Sequence, residues 1–286
     1  MGVTSLQVRM NSKKRFVDDQ KEEFYQMIED LLWGKEEEET SVSLTEDETT
    51  RLEHIFQDAK HNMDGIIIAF QAIRNCYSPL ETKEILKEEF KRYFLSPASK
   101  KDETLGGEND AQRLINFIFK SSHTSTLEHL NFTFHIEGAS RAMLAQLTRH
   151  RHWSFSVKSQ RYVKFSSESK SQGMDYIVPP SVIERGVEKQ YHQFMQDSQE
   201  MYDFLVEAKV PQEDARFVFP NAASTVIVAT LNLASALDFY KKRKPQSGAQ
   251  WEIAKLAVEI RNQVVKEEPW TAHFFNQIDL KKKEEN

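Results

Sequence analysis

The sequence predicts an α/β (α+β) fold, and three observations carry that prediction. Residues 131–138 (NFTFHIEG) alternate Phe132, Phe134 and Ile136 with polar neighbours, which is the period of a half-buried strand. Residues 181–208 and 248–266 instead repeat apolar side chains at helical spacing. Thr225–Leu231 is a β-branched, apolar run with the length of a buried strand, and it leads into a helical pattern over 233–242. Strand and helix signals therefore intermix along a chain of 286 residues that is 39% hydrophobic and 11% aromatic, enough for one large or two modest domains.

Taken in order, residues 17–34 predict a helix with Phe24, Met27, Ile28, Leu31 and Leu32 on its apolar side and Gly34 as its stop. The acidic run Glu36–Glu39 and the polar stretch to Thr50 read as a linker. Helical patterns return over 51–74, ending near NCYSP (75–79), and over 80–95. The charged, glycine-bearing stretch 96–110 is a loop by composition. Residues 139–148 predict a helix with Met143, Leu144 and Leu147 on one face. Tyr162–Phe165 and Tyr176–Val178 are short strand candidates around a serine-rich loop. The 181–208 pattern carries Tyr191, Phe194, Met195, Tyr202 and Phe204, and Pro211 can open a further helix. Pro269 ends the 248–266 pattern, and the tail KKKEEN predicts disorder. These signals divide the chain into an acidic, helical, partly flexible extension (1–60), a folded body (61–278) and a tail (279–286).

The net charge of −6 argues against bulk nucleic-acid binding, so a positive site has to be local. The single cysteine, Cys76, excludes an internal disulfide or thiolate cluster and fits a reducing compartment. MGVTSLQVRMNSKKRF lacks the apolar core of a signal peptide, and Val226–Leu237 is too short and too interrupted to span a bilayer. A cytoplasmic, non-membrane protein is expected.

Residues 149–162, RHRHWSFSVKSQRY, hold the densest chemistry. Arg149, His150, Arg151 and His152 are consecutive, and after seven intervening residues Arg151 is followed by Ser159, Gln160, Arg161 and Tyr162. Arginine presents a planar fork that matches phosphate oxygens in pairs. The run also follows AMLAQLT (142–148), which is apolar enough to be half buried, and cations leaving a buried element call for a partner. The segment is thus either a phosphate site or a solvated basic patch.

Elsewhere the residue types leave alternatives open. His123 and His129 in SSHTSTLEHLNF form a pair without the spacing that puts two ligands on one helical face; the competing reading is a helix entry capped by Ser125, with Glu128 reaching back. No metal site is expected. Arg216 and Arg243 taken singly read as surface or salt-bridge residues. In AQWEI (249–253) the expectation is Trp251 packed in the core and Glu252 capping or paired. Cys76 is a nucleophile without a recognisable base, or a small buried hydrophobe. There is no glycine-rich phosphate cradle, so arginines would have to hold a nucleotide.

These pieces occur together in a familiar order. RHR, seven residues, then Ser continued as SQRY resembles the signature of the flavin-dependent thymidylate synthases (ThyX). RNCYS (74–78), HTSTLEHLNFTFHI, AQLTRHR, VPQEDARFVFP, the Asn232 segment and FYKKR…AQWEI resemble further family segments, in order, from about Arg74 onward. The resemblance implies a ThyX-like fold, a central mixed sheet flanked by helices, with the helical acidic extension in front of a catalytic domain over 61–278. It implies a methyltransferase that takes a methylene from methylenetetrahydrofolate to C5 of dUMP, using FAD reduced by NADPH, in a homotetramer whose active sites form between subunits.

Carried over by position, the resemblance implies dUMP binding by Gln146, Arg149, Ser159, Gln160, Arg161, Arg216 and Arg243. Ser159 would stand near the base, Arg161 near the phosphate, and Arg216 would reach in from another subunit. Ser159 and Arg243 would be catalytic, Arg243 favouring ionisation at uracil N3. FAD would be held by His123, Ser125, Arg149, His150, Arg151, Asn232 and Asp238. The sequence departs from the family at Val157, where glutamate is frequent, at Ala234, where arginine is usual, at Asp238, which replaces an amide or histidine, and at Gly248, where a histidine is sometimes found. Two other readings share the nucleotide residues: a flavin-dependent pyrimidine-nucleotide hydroxymethylase, and a non-catalytic nucleotide-binding homologue.

Overall fold

The computed structural model describes residues 1–13, 18–33, 44–59, 63–95, 107 and 109–284. In chain order the elements begin with strand β1 (Gln7–Lys13) and helices α1 (Asp18–Trp33), α2 (Glu46–Ala59), α3 (Asp64–Tyr77), α4 (Thr82–Phe90) and α5 (Asp110–Lys120). Then come β2 (Asn131–Ser140), α6 (Arg141–Leu147), β3 (Ser154–Val157), α7 (Pro180–Glu184), α8 (Glu188–Glu207) and α9 (Gln212–Ala215). The chain continues as β4 (Ser224–Asn232), α10 (Leu233–Arg243), α11 (Trp251–Glu267) and α12 (Ala272–Glu284). Two compact units result: Met1–Ser12, Thr133–Leu231 and Phe239–Ile260 in the first, and Lys13–Phe132, Asn232–Asp238 and Arg261–Asn286 in the second.

The first unit is built on a four-stranded sheet in the order β1-β2-β4-β3. β2 buries Phe132, Phe134 and Ile136, the alternation read from the sequence. Beyond Ile136 the strand is buried on successive residues, Gly138, Ala139 and Ser140. Gly138 is required there: its φ is +66°, and a Cβ would stand 2.1 Å from the Ser5 carbonyl oxygen. That close approach seats the segment around Ser5, and Met1–Ser12 groups with the sheet. β4 buries Thr225, Ile227, Ala229 and Leu231. It pairs antiparallel with β3, Ser154 opposite Thr230 and Val157 opposite Ile227.

Two of the expected strands are not strands. Tyr176 makes only isolated bridges, to Val3 and Ala223, and packs with Met174, Met195 and Ala223. Phe165 leaves the sheet to donate its backbone N–H to Tyr202 Oη at 3.2 Å, in a cluster with Tyr202 and Ala215. In both places an aromatic side chain that favours strands is used to fill a core under α8. The predicted helix 181–208 is broken into α7 and α8 at Gly186, whose φ is +64°. α9 opens directly after Pro211.

The second unit is helical. Phe24, Phe70, Phe90 and Phe94 form its aromatic centre, with Phe90 and Phe94 stacked at 4.9 Å. The single helix expected over 51–74 is two helices, α2 and α3. α4 runs on through a π-helical turn over Lys91–Leu95. The RNCYS segment ties α3 to α4: Arg74 Nη2 donates to Glu89 Oε1 at 2.8 Å, and Ser78 Oγ donates to the same carboxylate at 3.0 Å. Cys76 is exposed, not the buried hydrophobe expected. α5 lies beyond the 96–110 loop, where no element was anticipated; of that loop 107, 109 and 110 are described, and the linker expected over 36–50 falls outside the described residues up to 43. α12 carries helical backbone through residues 279–284, for which composition predicts disorder. No helix among the described residues is long and apolar enough to cross a membrane.

Candidate active site

In the first unit, the cationic segment begins at a capped helix. Ser140 Oγ accepts from Met143 N at 2.9 Å and starts α6. The helix ends in a run of turns, Thr148 N to Leu144 O and His150 N to Leu147 O, both at 3.0 Å. These turns split the basic run by direction. Arg149, Arg151 and His152 are exposed, and among the described residues no side-chain bond or ion pair engages either guanidinium. His150 turns inward instead. Its ring meets Phe239 edge to face at 4.8 Å, and Nε2 accepts from Arg243 Nε at 3.1 Å. Accepting at Nε2 leaves Nδ1 as the protonated nitrogen of a neutral ring. Arg243, expected to be exposed, is half-buried at the end of α10.

β3 forms an edge of the sheet and delivers the second half of the signature. Ser159 Oγ accepts from Arg161 N at 3.1 Å and from Tyr162 N at 3.4 Å, closing the SQRY turn. Gln160 and Gln146 are partly exposed. Arg161 donates from Nε to Glu213 Oε2 at 2.9 Å, and its Nη2 stands 2.7 Å from the same oxygen. Arg216 donates from Nε to the Glu213 carbonyl oxygen at 3.0 Å. Glu213 therefore gathers two arginines that lie far apart in sequence, and it does so within a single chain.

A third arginine joins them, and sequence reasoning missed it. Arg141, the first residue of α6, donates from Nη2 to Lys158 O at 3.2 Å, one residue before Ser159. Burial, and then the positive charge of Arg216, push its guanidinium below the usual arginine value. Its Nε is buried with no hydrogen-bond partner among the described residues. A half-buried cation beside a second cation, with a donor unused, is a costly arrangement that an anion relieves. The signal in the sequence was available: Arg141 also emerges from a buried element, the argument applied above to the run at 149–152.

The second unit holds the remaining residues implied for FAD. His123 and Ser125 are exposed, at and just inside a 3₁₀ turn over Thr124–His129. That turn starts at His123 without a side-chain cap, so Ser125 is not the capping residue the sequence suggested. Asn232 Oδ1 accepts from Ser235 N at 2.8 Å and caps α10, which leaves its Nδ2 as a donor. Leu233 N donates to Leu130 O at 2.9 Å, so the Asn232 cap is stitched to the end of the His123 turn. Asp238 is exposed, and Ala234 offers no cation. Among the described residues no group of three potential ligands is placed to hold a metal ion.

This is an α+β chain in which Arg161 and Arg216 meet at Glu213, through its carboxylate and its backbone carbonyl, with Arg141 close enough to Arg216 to feel its charge. The family model for the thymidylate synthase complementing protein matches residues 59–270, and the chain belongs to that family, the flavin-dependent thymidylate synthases. It is 44% identical to the flavin-dependent thymidylate synthase of Geobacter sulfurreducens over 153 residues, 53% of this chain and 64% of the relative. It is 32% identical to that of Clostridium tetani over 219 residues, 71% of this chain and 78% of the relative. The match thus spans a little under two thirds of the Geobacter relative's length. Among solved structures, the UMP/dUMP methylase PolB of Streptomyces cacaoi bound with 5-Br dUMP superposes with a TM-score of 0.63 at 17% identity, covering 97% of each chain; this likeness is one of fold.

Proposed function

We propose that the protein is an FAD-dependent thymidylate synthase that converts dUMP to dTMP, with methylenetetrahydrofolate as one-carbon donor and NADPH as reductant. The reading rests on the family and on one observation above all: Arg161 and Arg216 meet at Glu213, and Arg141 lies near enough to Arg216 to feel its charge, a concentration of positive charge suited to a phosphate monoester. On this reading those arginines hold the dUMP phosphate, Ser159 stands near the base, which faces Arg243, and Gln146, Arg149 and Gln160 line the same nucleotide. Arg243 has its Nε engaged by His150, so its terminal nitrogens remain to meet the uracil N3 edge. A fixed cation there lowers the cost of the negative charge that develops as C5 becomes nucleophilic. No cysteine attack is needed, in keeping with an exposed Cys76 whose thiol donates to the Ala72 carbonyl oxygen and not to a base.

FAD, when bound, supplies the hydride that completes the methyl group. In the first unit the exposed guanidinium groups of Arg149 and Arg151, with His150, suit a diphosphate-bearing cofactor; the resemblance assigns His123, Ser125 and Asn232 to FAD as well. Ala234 and Asp238 subtract positive charge from that set and predict weaker flavin retention than an arginine would give. The protein is read as a cytoplasmic homotetramer.

The test is an absorbance spectrum of the purified protein, titrated with FAD and then dUMP, followed by weighing the product formed with and without methylenetetrahydrofolate. A flavin spectrum, a dUMP-dependent change and a methylated product support the reading. A hydroxymethylated product would favour the hydroxymethylase, and a colourless protein that binds dUMP but takes up no FAD would favour the non-catalytic homologue.

A further inference from the structure

The first turn of α11 departs from the sequence expectation at Trp251, and meets it at Glu252, which is paired. Trp251 is 39% exposed, whereas Glu252 is only 2% exposed. A carboxylate withdrawn from water needs acceptor sites filled on both oxygens. Ser140 fills both: its backbone N–H donates to Oε1 at 2.8 Å and its hydroxyl to Oε2 at 2.6 Å. The backbone beneath Glu252 is fixed as well, because Gln250 Oε1 accepts from Glu252 N at 3.0 Å and from Ile253 N at 3.3 Å.

Ser140 is the hinge between β2 and α6, and its hydroxyl has a second bond. While donating to Glu252, it accepts from Met143 N at 2.9 Å, the cap of α6. The hydroxyl can serve both partners only in one orientation, and Glu252 sets it. Everything that α6 carries follows. Arg141 is its first residue, and the turn after its last residue bears Arg149 and His150. Arg141 N and Ala142 N donate to Ala223 O and Asn221 O, each at 3.0 Å, so the start of the helix is held from two sides. Of these contacts the Glu252 bonds alone combine burial with charge, and charge-assisted bonds are the stronger kind.

We propose that Glu252 is a positioning residue for the nucleotide site: through the Ser140 cap it sets the seat of α6, and with it the place of Arg141 and of the turn bearing Arg149 and His150. The inference rests on the dUMP reading above. It assigns Glu252 no contact with substrate.

The test uses the full-length protein, with dUMP binding followed by calorimetry, kcat and KM measured separately, and thermal unfolding recorded for each variant. Glu252→Gln keeps the shape but turns an N–H₂ toward one of the two Ser140 donors. It should weaken dUMP binding by about tenfold, the equivalent of one lost charge-assisted bond, and raise KM more than it lowers kcat. Ser140→Ala keeps the backbone bond and loses the hydroxyl relay, so it should shift dUMP affinity in the same direction by less; it carries the test if Glu252→Gln does not fold. Glu268→Gln is the control, a carboxylate 1% exposed in the second unit. It should move the unfolding temperature and leave dUMP affinity where it was. Equal dUMP affinity in wild type and Glu252→Gln would overturn this inference alone, as would an affinity loss in Glu268→Gln of the same size. A wild-type protein that binds no dUMP would overturn the proposed function, and the positioning role with it.

Discussion

Arg243 Nε donates to His150 Nε2 at 3.1 Å, joining the end of α10 to the middle of the cationic signature, 93 residues away in sequence. The bond fixes a guanidinium by its inner nitrogen and leaves the outer two for a ligand. Removing that cation by Arg243→Ala should lower kcat for dTMP formation by about 10²–10³-fold, the usual cost of losing a preorganised donor at developing charge. The residue is only half-buried, so the unfolding temperature should fall by less than about 4 °C. Steady-state kinetics beside a thermal melt decide it: loss of soluble protein, or activity near wild type, would rule out the assigned role.

Ser159 has a different kind of job. Its hydroxyl accepts from two successive backbone amides, Arg161 N and Tyr162 N, and so shapes the turn that presents Arg161. Ser159→Ala should weaken dUMP binding about fivefold, the scale of one or two neutral hydrogen bonds, with little change in stability. Calorimetric titration with dUMP reads this directly, and unchanged affinity together with unchanged turnover would contradict the placement of Ser159 in the site.

On the proposed reading, Glu213 competes with dUMP for Arg161. Its carboxylate holds Arg161 in an ion pair whose side chains are 53% and 49% exposed, so the pair contributes no more than about 1 kcal/mol to stability. Glu213→Gln keeps the backbone carbonyl that anchors Arg216 and releases Arg161. Binding of dUMP should tighten by about two- to fivefold, with an unchanged melting temperature. Weaker binding in this variant would mean that Glu213 orients Arg161 for the substrate and does not oppose it.

Much of this arrangement was legible in the sequence, for identifiable reasons. β2, β4, α10 and α11 bury one clean face each, so their periodicity survives in the residue pattern. β3 did not stand out because SFSV is four residues long and lies inside the cationic signature. Tyr162–Phe165 and Tyr176–Val178 misled because aromatic residues favour strands but here fill the core beneath α8. In the candidate site, RHRx₇S marked the segment on which the proposed reading rests. What spacing could not reveal is direction: that His150 faces inward while Arg149 and Arg151 face out, that Arg141 returns to Lys158, and that Glu252 is buried while Trp251 is not. Those depend on partners far away in sequence.

Glu268 provides a test in the second unit that does not involve the ligand. It is buried, with Lys13 Nζ 3.1 Å from Oε1 and Trp270 Nε1 donating to Oε2 at 2.8 Å. Burial raises its carboxyl above the usual glutamate value, and nearby Asp64 adds to the rise; Lys13 and the Trp270 bond only partly oppose it. In the folded protein the group therefore keeps its proton to higher pH than in the unfolded chain, where it titrates near 4.5. A raised carboxyl binds more protons in the folded state across that interval, so its stabilising contribution is present below the unfolded value and is lost as pH rises through the folded one. Glu268→Gln cannot ionise and lacks this dependence. The difference in melting temperature, variant minus wild type, should accordingly become more positive as pH is raised from about 4 toward neutrality. Calorimetry of both proteins across that range measures it, and subtracting the wild type cancels the titration of other groups, His273 among them. A difference that stays flat, or that falls with pH, would show that the Lys13 contact outweighs burial and that the carboxylate is stabilised where it lies.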